Sequence, residues 1–232
     1  SWSTMPTSIR KELASVASAE APAGSPVARS PITQRAPVRS QAGWEVSGAQ
    51  ADGALRLADL TPLTKELVRA RSASAAALRL DCAFGRTRRE PDGSLVIGAG
   101  PDEWLVLSPA GRRSQVAGEL EAPSAGEGEG ELLTVIDLTH GSIVLRLSGD
   151  DSPRVLEKVC AIDLADRVTP NGSCFRSSVA RLRCTVVRDD LGPERSYLIE
   201  SDRSSGQYLF DVLREAGAEF AVEVDGYPNK EI

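Results

Sequence analysis

The sequence has 232 residues, 41% of them hydrophobic, 26% charged and only 4% aromatic, with a net charge of −6. These fractions predict a globular chain whose core is filled by Leu, Val, Ile and Ala rather than by rings. The acidic balance argues against nucleic acid as a partner, because phosphate backbones are held by clustered Lys and Arg; no apolar run approaches the ~20 residues that span a bilayer, so no membrane partner is expected either.

Residues 1–43 are rich in Ala, Ser, Pro and Arg and nearly devoid of large apolar side chains. Such a segment cannot bury enough surface to offset the entropy of ordering it, so a flexible or partner-bound tail is expected there. Lys11 to Ala19 has the composition of a short helix, and Ser30-Pro31-Ile32 looks like an anchor point. The globular domain is expected over 44–232. Its first part carries a strand-like stretch over 55–69 and a brief helix over 72–79, followed by a turn at Pro91-Asp92-Gly93. Short strands are predicted at Leu95–Ile97 and Trp104–Leu107, with a helix over 111–121 after them.

The acidic, glycine-rich stretch from Pro123 to Glu131 reads as a flexible loop. The near-continuous apolar run Leu132–Leu138 predicts a buried central strand. Beyond His140-Gly141, Ile143, Leu145 and Leu147 alternate with period two, which predicts another strand. A helix from Ser152 to Cys160 is expected, with Ser152 as cap and Pro153 at the first position. Further strands fall near Cys174–Leu182, Cys184–Val187 and Ser196–Glu200. The last helix runs from about Ser204 to Ala216, where Tyr208, Leu209, Val212, Leu213 and Ala216 form one apolar stripe, and it ends at Gly217 as a C′ residue. Paired strands with single helices and no regular βαβ crossovers indicate α+β.

Tests for chemistry are mostly negative. His140 is the single histidine and follows a strand; a hydrogen-bonded structural role is the expectation, since no G-x-S-x-G elbow accompanies it. Cys82, Cys160, Cys174 and Cys184 form no C-x-x-C pair and no zinc spacing, so no metal site is expected. With no apolar leader at the N-terminus they read as reduced thiols, and the cytoplasm is the expected compartment. Gly98-Ala99-Gly100 lacks the third glycine and the following helix of a dinucleotide loop and reads as a turn. Asp102 with Glu103, and Asp189 with Asp190, are adjacent pairs whose side chains point to opposite faces; both read as surface turns. Asn171-Gly172-Ser173 reads as a turn before it reads as a glycosylation site. Arg86, Arg88 and Arg89, and Arg112 and Arg113, are short basic groups without interleaved aromatics and read as solvated surface.

The stretch VIDLTHGSIVLRLSGDDSPRVLEKVCAIDL, Val135 to Leu164, resembles the N-terminal, folate-binding domain of the aminomethyltransferase (glycine-cleavage T-protein) family. In that family a strand ending D-L-S/T-H leads to a second strand, a Ser-Gly turn, a helix and an aspartate step. Here these are Asp137-Leu138-Thr139-His140, Ile143–Leu147, Ser148-Gly149, the helix from Ser152, and Ile162-Asp163-Leu164. Gly100-Pro101-Asp102-Glu103-Trp104-Leu105 resembles the G-P-D-E-W/F-L segment of the sarcosine oxidase gamma subunits, and Ser30-Pro31-Ile32 resembles the S-P-L near their N-termini.

The resemblance implies an aminomethyltransferase folate-binding-like α+β domain with mixed and antiparallel sheets and a few helices. It implies a non-catalytic accessory subunit, with alpha, beta and delta subunits as partners, in a complex that oxidatively demethylates sarcosine or a related N-methyl amine. No cofactor is expected on this chain; FAD, FMN, NAD, tetrahydrofolate and zinc are implied for the partner subunits. Asp163 is the one candidate site residue, at a vestigial folate-site position. The alternative is a stand-alone tetrahydrofolate-binding or aminomethyltransferase-like protein that uses Asp163 to orient a pterin or accept a proton. Against it, Arg176 stands where the T-proteins carry a folate-contacting tyrosine, and their G-G-x-x-D-D loop is absent after Arg183–Val187. Asp163 is therefore expected to cap a turn.

Overall fold

Alternating apolar residues along the strands leave each sheet one buried face or two, and the chain stacks its elements accordingly. The computed structural model describes residues 26–71, 74–121 and 133–228. Among them are three sheets. The six-stranded sheet contains β4 (Arg56–Asp59), β10 (Ser142–Ser148), β11 (Cys174–Val179), β12 (Leu182–Arg188), β13 (Ser196–Asp202) and β14 (Glu223–Asp225), in the order β11-β12-β13-β10-β4-β14. The five-stranded sheet contains β5 (Thr64–Ala70), β6 (Thr87–Arg89), β7 (Leu95–Gly100), β8 (Glu103–Ser108) and β9 (Leu133–Asp137), in the order β6-β7-β8-β5-β9. A small sheet is built from β1 (Ala28–Arg29), β3 (Trp44–Ser47) and β2 (Val38–Gln41). All pairings are antiparallel except β1 with β3 and β14 with β4. The sheets are thus mixed and antiparallel, and the α+β class expected from the sequence is the class observed.

Among the described residues, four α-helices accompany them: α1 (Ala75–Leu80), α2 (Gln115–Glu121), α3 (Ser152–Glu157) and α4 (Gly206–Ala216). No helix of the described residues is long and apolar enough to cross a membrane. Three apolar clusters define the layers. Leu57, Leu145, Leu147 and Ile199 of the six-stranded sheet pack against Val155 and Leu156 of α3 and Leu209 and Leu213 of α4. The opposite face of that sheet, through Val144, Val187 and Leu198, meets Ile97, Leu105 and Leu107 of the five-stranded sheet, with Trp44 and Val46 closing one end. The far face of the five-stranded sheet, through Val68, Val96 and Val106, covers Leu80 of α1 and Val116 and Leu120 of α2. The order is helices, sheet, sheet, helices.

Several boundaries differ from the sequence reading. The stretch 55–69 divides into β4 and β5, because Asp59 Oδ1 accepts the Thr61 N–H and Lys65 Nζ donates to the Thr61 and Leu63 carbonyls, closing a turn. The run Leu132–Leu138 is not a central strand: among the described residues β9 lies at the end of its sheet, pairs only with β5, and leaves Ile136 40% exposed. Its apolar composition serves one face, where Leu133 and Val135 pack on the cluster beneath α1 and α2. The helix α3 stops at Glu157 rather than Cys160, and Asp151, not Ser152, holds the cap position; Cys160 instead bridges to Val179. Helix α4 does end at Gly217, but with φ −84 and not in a left-handed conformation. Glycine stands there because a Cβ would lie 2.8 Å from Val222 Cγ1.

The boundary expected at residue 44 cuts through the β2–β3 hairpin, in which Val38 pairs with Ser47 and Gln41 with Trp44. Ile32, in the expected anchor, is buried in the core beside α4. Residues 1–25 and the helix expected at Lys11 to Ala19 lie outside the described residues, as does the whole of the loop expected at Pro123 to Glu131.

Candidate functional site

Where the two large sheets diverge, their facing surfaces change from apolar to polar and enclose a cavity of about 270 Å³. Strand register explains its lining. Arg176 of β11 pairs across with Thr185 of β12, and Thr185 with Glu200 of β13, so the three side chains form one row on one face. Two residues further along, Asp202 pairs with Ser142 of β10, and Arg183 reaches the same cavity from β12. The five-stranded sheet contributes the cross-strand pairs Leu67 with Leu105 and Arg69 with Glu103. The floor is apolar; the walls carry charge of both signs.

Glu103 is the best-held group. Its side chain is 12% exposed, with Arg69 Nη2 at 2.7 Å and Arg176 Nη2 on its other oxygen. Burial alone would raise its pKa, but the hydrogen bonds from Arg176 and Arg69 outweigh it and hold the carboxyl below its usual value. This bridge ties β8 of one sheet to β11 of the other. Glu200 behaves oppositely: burial pushes its pKa up, and the nearby Thr185 and Ser142 hydroxyls only partly offset this. Yet Ser142 Oγ is buried and has no partner within hydrogen-bond geometry. At the mouth, Arg183 and Asp202 are exposed. Cys184 also borders the cavity, but burial raises its pKa, which keeps it a thiol rather than a nucleophilic thiolate.

Cys184 aside, the residues singled out from sequence fall elsewhere, with two exceptions. Asp163 is exposed and does not line the cavity; its Oδ1 accepts the Ala165 N–H at 2.9 Å and its Oδ2 meets Arg167 at 3.4 Å. The Ala165 N–H and Arg167 lower its pKa in the manner of a turn-capping carboxylate. His140 is exposed and, in place of the expected hydrogen-bonded role, stacks on Trp44 with ring centroids 4.8 Å apart. All four cysteines are free and buried. Among the described residues no cluster of His, Cys, Asp and Glu is arranged to hold a metal ion. Gly98-Ala99-Gly100 forms the end of β7 and turns into β8. Asn171 accepts the Asp190 N–H, as a turn residue does. Arg88, Arg89 and Arg113 each pair with a carboxylate.

The exceptions are Arg176, which is in the cavity wall, and Glu103, which is no surface-turn residue but the central carboxylate of the site. Asp189 and Asp190 also depart from the surface reading: both are largely buried, on Arg146 and Arg188 respectively. Sequence reasoning missed Glu200, Thr185, Ser142, Arg183 and Asp202. The available signal was the period-two spacing of polar residues in otherwise apolar strands, Arg183-x-Thr185 and Glu200-x-Asp202, which places them on one face.

A family model described as the sarcosine oxidase, gamma subunit family matches residues 69–219. A sarcosine oxidase subunit gamma from Arthrobacter sp. is 35% identical over 196 residues, covering 81% of this chain and 92% of the relative. Another from Corynebacterium sp. (strain P-1) is 33% identical over 132 residues, covering 57% of this chain and 61% of the relative. Among solved structures, a chain of the heterotetrameric sarcosine oxidase from Corynebacterium sp. U-96 superimposes with a TM-score of 0.62 at 23% identity, over 76% of this chain and 90% of that one. The glycine cleavage system aminomethyltransferase T from Bartonella henselae gives 0.61 at 16% identity, over 82% of this chain and 55% of that one. At these identities the two structures establish the fold, an aminomethyltransferase-like one.

Proposed function

Because this chain belongs to the sarcosine oxidase gamma subunit family, we propose that it is a non-catalytic accessory subunit of a multi-subunit oxidase that demethylates sarcosine or a related N-methyl amine. The observation that carries this reading is the match to a gamma subunit over 92% of that relative's length. Its partners in this reading are alpha, beta and delta subunits, and FAD, FMN, NAD, tetrahydrofolate and zinc sit on those chains. Its compartment is the cytoplasm, a reading supported by four cysteines that are all free.

Leaving folate off this chain is supported by three observations. The cavity, at about 270 Å³, is smaller than the roughly 300–1,000 Å³ of sites for drug-sized ligands. Its wall is already occupied by the Arg176–Glu103 bridge. Asp163, which would face a pterin in the stand-alone folate-binding alternative, spends its carboxylate on its own turn. The side chains here can hold sheets together and recognise charge, but they offer no nucleophile paired with a base.

Co-expression with alpha, beta and delta subunits tests the assignment. The chain should co-purify with them, and omitting it should lower the yield or stability of the assembled oxidase. A chain that elutes alone, alongside a fully active complex formed without it, would refute the accessory role.

A further inference from the structure

The cavity between the sheets contains more polar capacity than it uses. Glu103 is shared by Arg69 and Arg176, and only Nη2 of Arg176 is spent on it. Glu200 presents a half-buried carboxyl, and the neighbouring buried Ser142 hydroxyl lacks a partner within hydrogen-bond geometry. At the mouth, Arg183 and Asp202 make no side-chain hydrogen bond or ion pair with the described residues. Buried polar atoms left unmatched are costly, and sites that bind small polar ligands are where such atoms are retained.

The charges decide the ligand class. Beyond the Glu103 bridge, two carboxyl groups and one guanidinium stand open, with spare N–H donors on Arg176. A lone anion would lie against Glu200 and Asp202, and a lone cation would lie against Arg183 and Arg176. A neutral molecule with separated charges meets both sets. The volume, about 270 Å³, holds roughly nine waters at ~30 Å³ each, which suits a molecule the size of a small amino acid. We propose that this cavity binds a small amino-acid zwitterion, its ammonium group directed to Glu200, Ser142 and Asp202 and its carboxylate to Arg183 and Arg176.

The proposal stands on the cavity alone and is independent of whether the chain joins a complex. Isothermal titration calorimetry of the full chain tests it, with glycine and sarcosine as zwitterions and with acetate and methylammonium as single-charge probes. Glycine or sarcosine should saturate one site per chain, and each single-charge probe should bind at least about tenfold more weakly. Glu200→Gln keeps the shape and removes the charge; Arg183→Gln alters an exposed side chain and leaves the core untouched. Each should weaken zwitterion binding by about tenfold or more while the unfolding temperature stays near that of the parent. Should Glu200→Gln fail to fold, Arg183→Gln carries the test alone. Lack of saturation up to about 50 mM of either zwitterion would overturn the proposal. So would acetate binding equal to glycine, or parental affinity in Arg183→Gln. None of these outcomes bears on co-purification with other subunits, so the two readings fail separately.

Discussion

Lys65 is fully buried, and its ammonium group is met by two main-chain carbonyls rather than by a carboxylate. Burial lowers its pKa to about 8, with Asp59 pulling in the opposite direction. Between pH 8 and the ordinary lysine value the unfolded chain binds the proton more readily than the folded one, so stability rises with pH across that window. The full effect is on the order of 3 kcal/mol. Cys174 and Tyr227, both raised to about 12, act in the opposite sense above pH 9, because there the unfolded chain loses those protons first. Urea denaturation at pH 7.5 and pH 10 should therefore show a larger gain, or smaller loss, in the parent than in Lys65→Met. Equal pH dependence in the two proteins would mean that the lysine is not desolvated as described. The sequence exposed little of this, because a lysine inside a strand pattern reads as solvated until the turn around it is known. Asp163 was legible for a related reason: an aspartate two residues before a free N–H caps its own turn whatever else surrounds it. Glu103 was not, since its two arginines come from β5 and β11.

At the scale of elements, periodicity located most strands and helices, and failures arose where one face of an element meets something remote. The run Leu132–Leu138 has the composition of a central strand, yet α1 and α2 need apolar cover on only one of its faces. Helix α4 was found through its stripe, and its first residue shows what the stripe left hidden. A Cβ on Gly206 would lie 2.7 Å from Pro31 Cγ and 2.9 Å from Ile143 Cγ2. The segment around Ser30-Pro31-Ile32 is thus seated on the start of α4, with the Thr33 N–H donating to Gln207 Oε1. Gly206→Ala should cost about 1–3 kcal/mol by overpacking. It should also speed amide exchange at residues 28–33 more than at β12. Uniform exchange changes along the chain would indicate that the anchor does not depend on this contact.

For the molecule as a whole, the two large sheets are joined by charge as well as by apolar packing. Asp189 receives Arg146 from β10 at 2.7 Å and Arg89 from β6 at 2.8 Å, so one carboxylate serves both sheets. Arg146 is 9% exposed there, and removing its partner leaves a buried charge unmatched. Asp189→Ala should destabilise the chain by about 3–5 kcal/mol. Glu119→Ala, which breaks an open pair with Arg79, should cost less than about 1 kcal/mol. Similar losses in chemical denaturation would remove the distinction between them. The fold class and the family motifs were legible from local sequence. The layering and the cavity were not, because they depend on pairings between strands far apart in the chain. That distance also orders events in time. The segment around Pro31 rests on a helix that begins 175 positions later at Gly206, and β4 is flanked on one side by the parallel strand β14. During synthesis the segment around Pro31 must therefore wait for α4, and the edge of β4 for β14, and chaperones have those intervals in which to act on them.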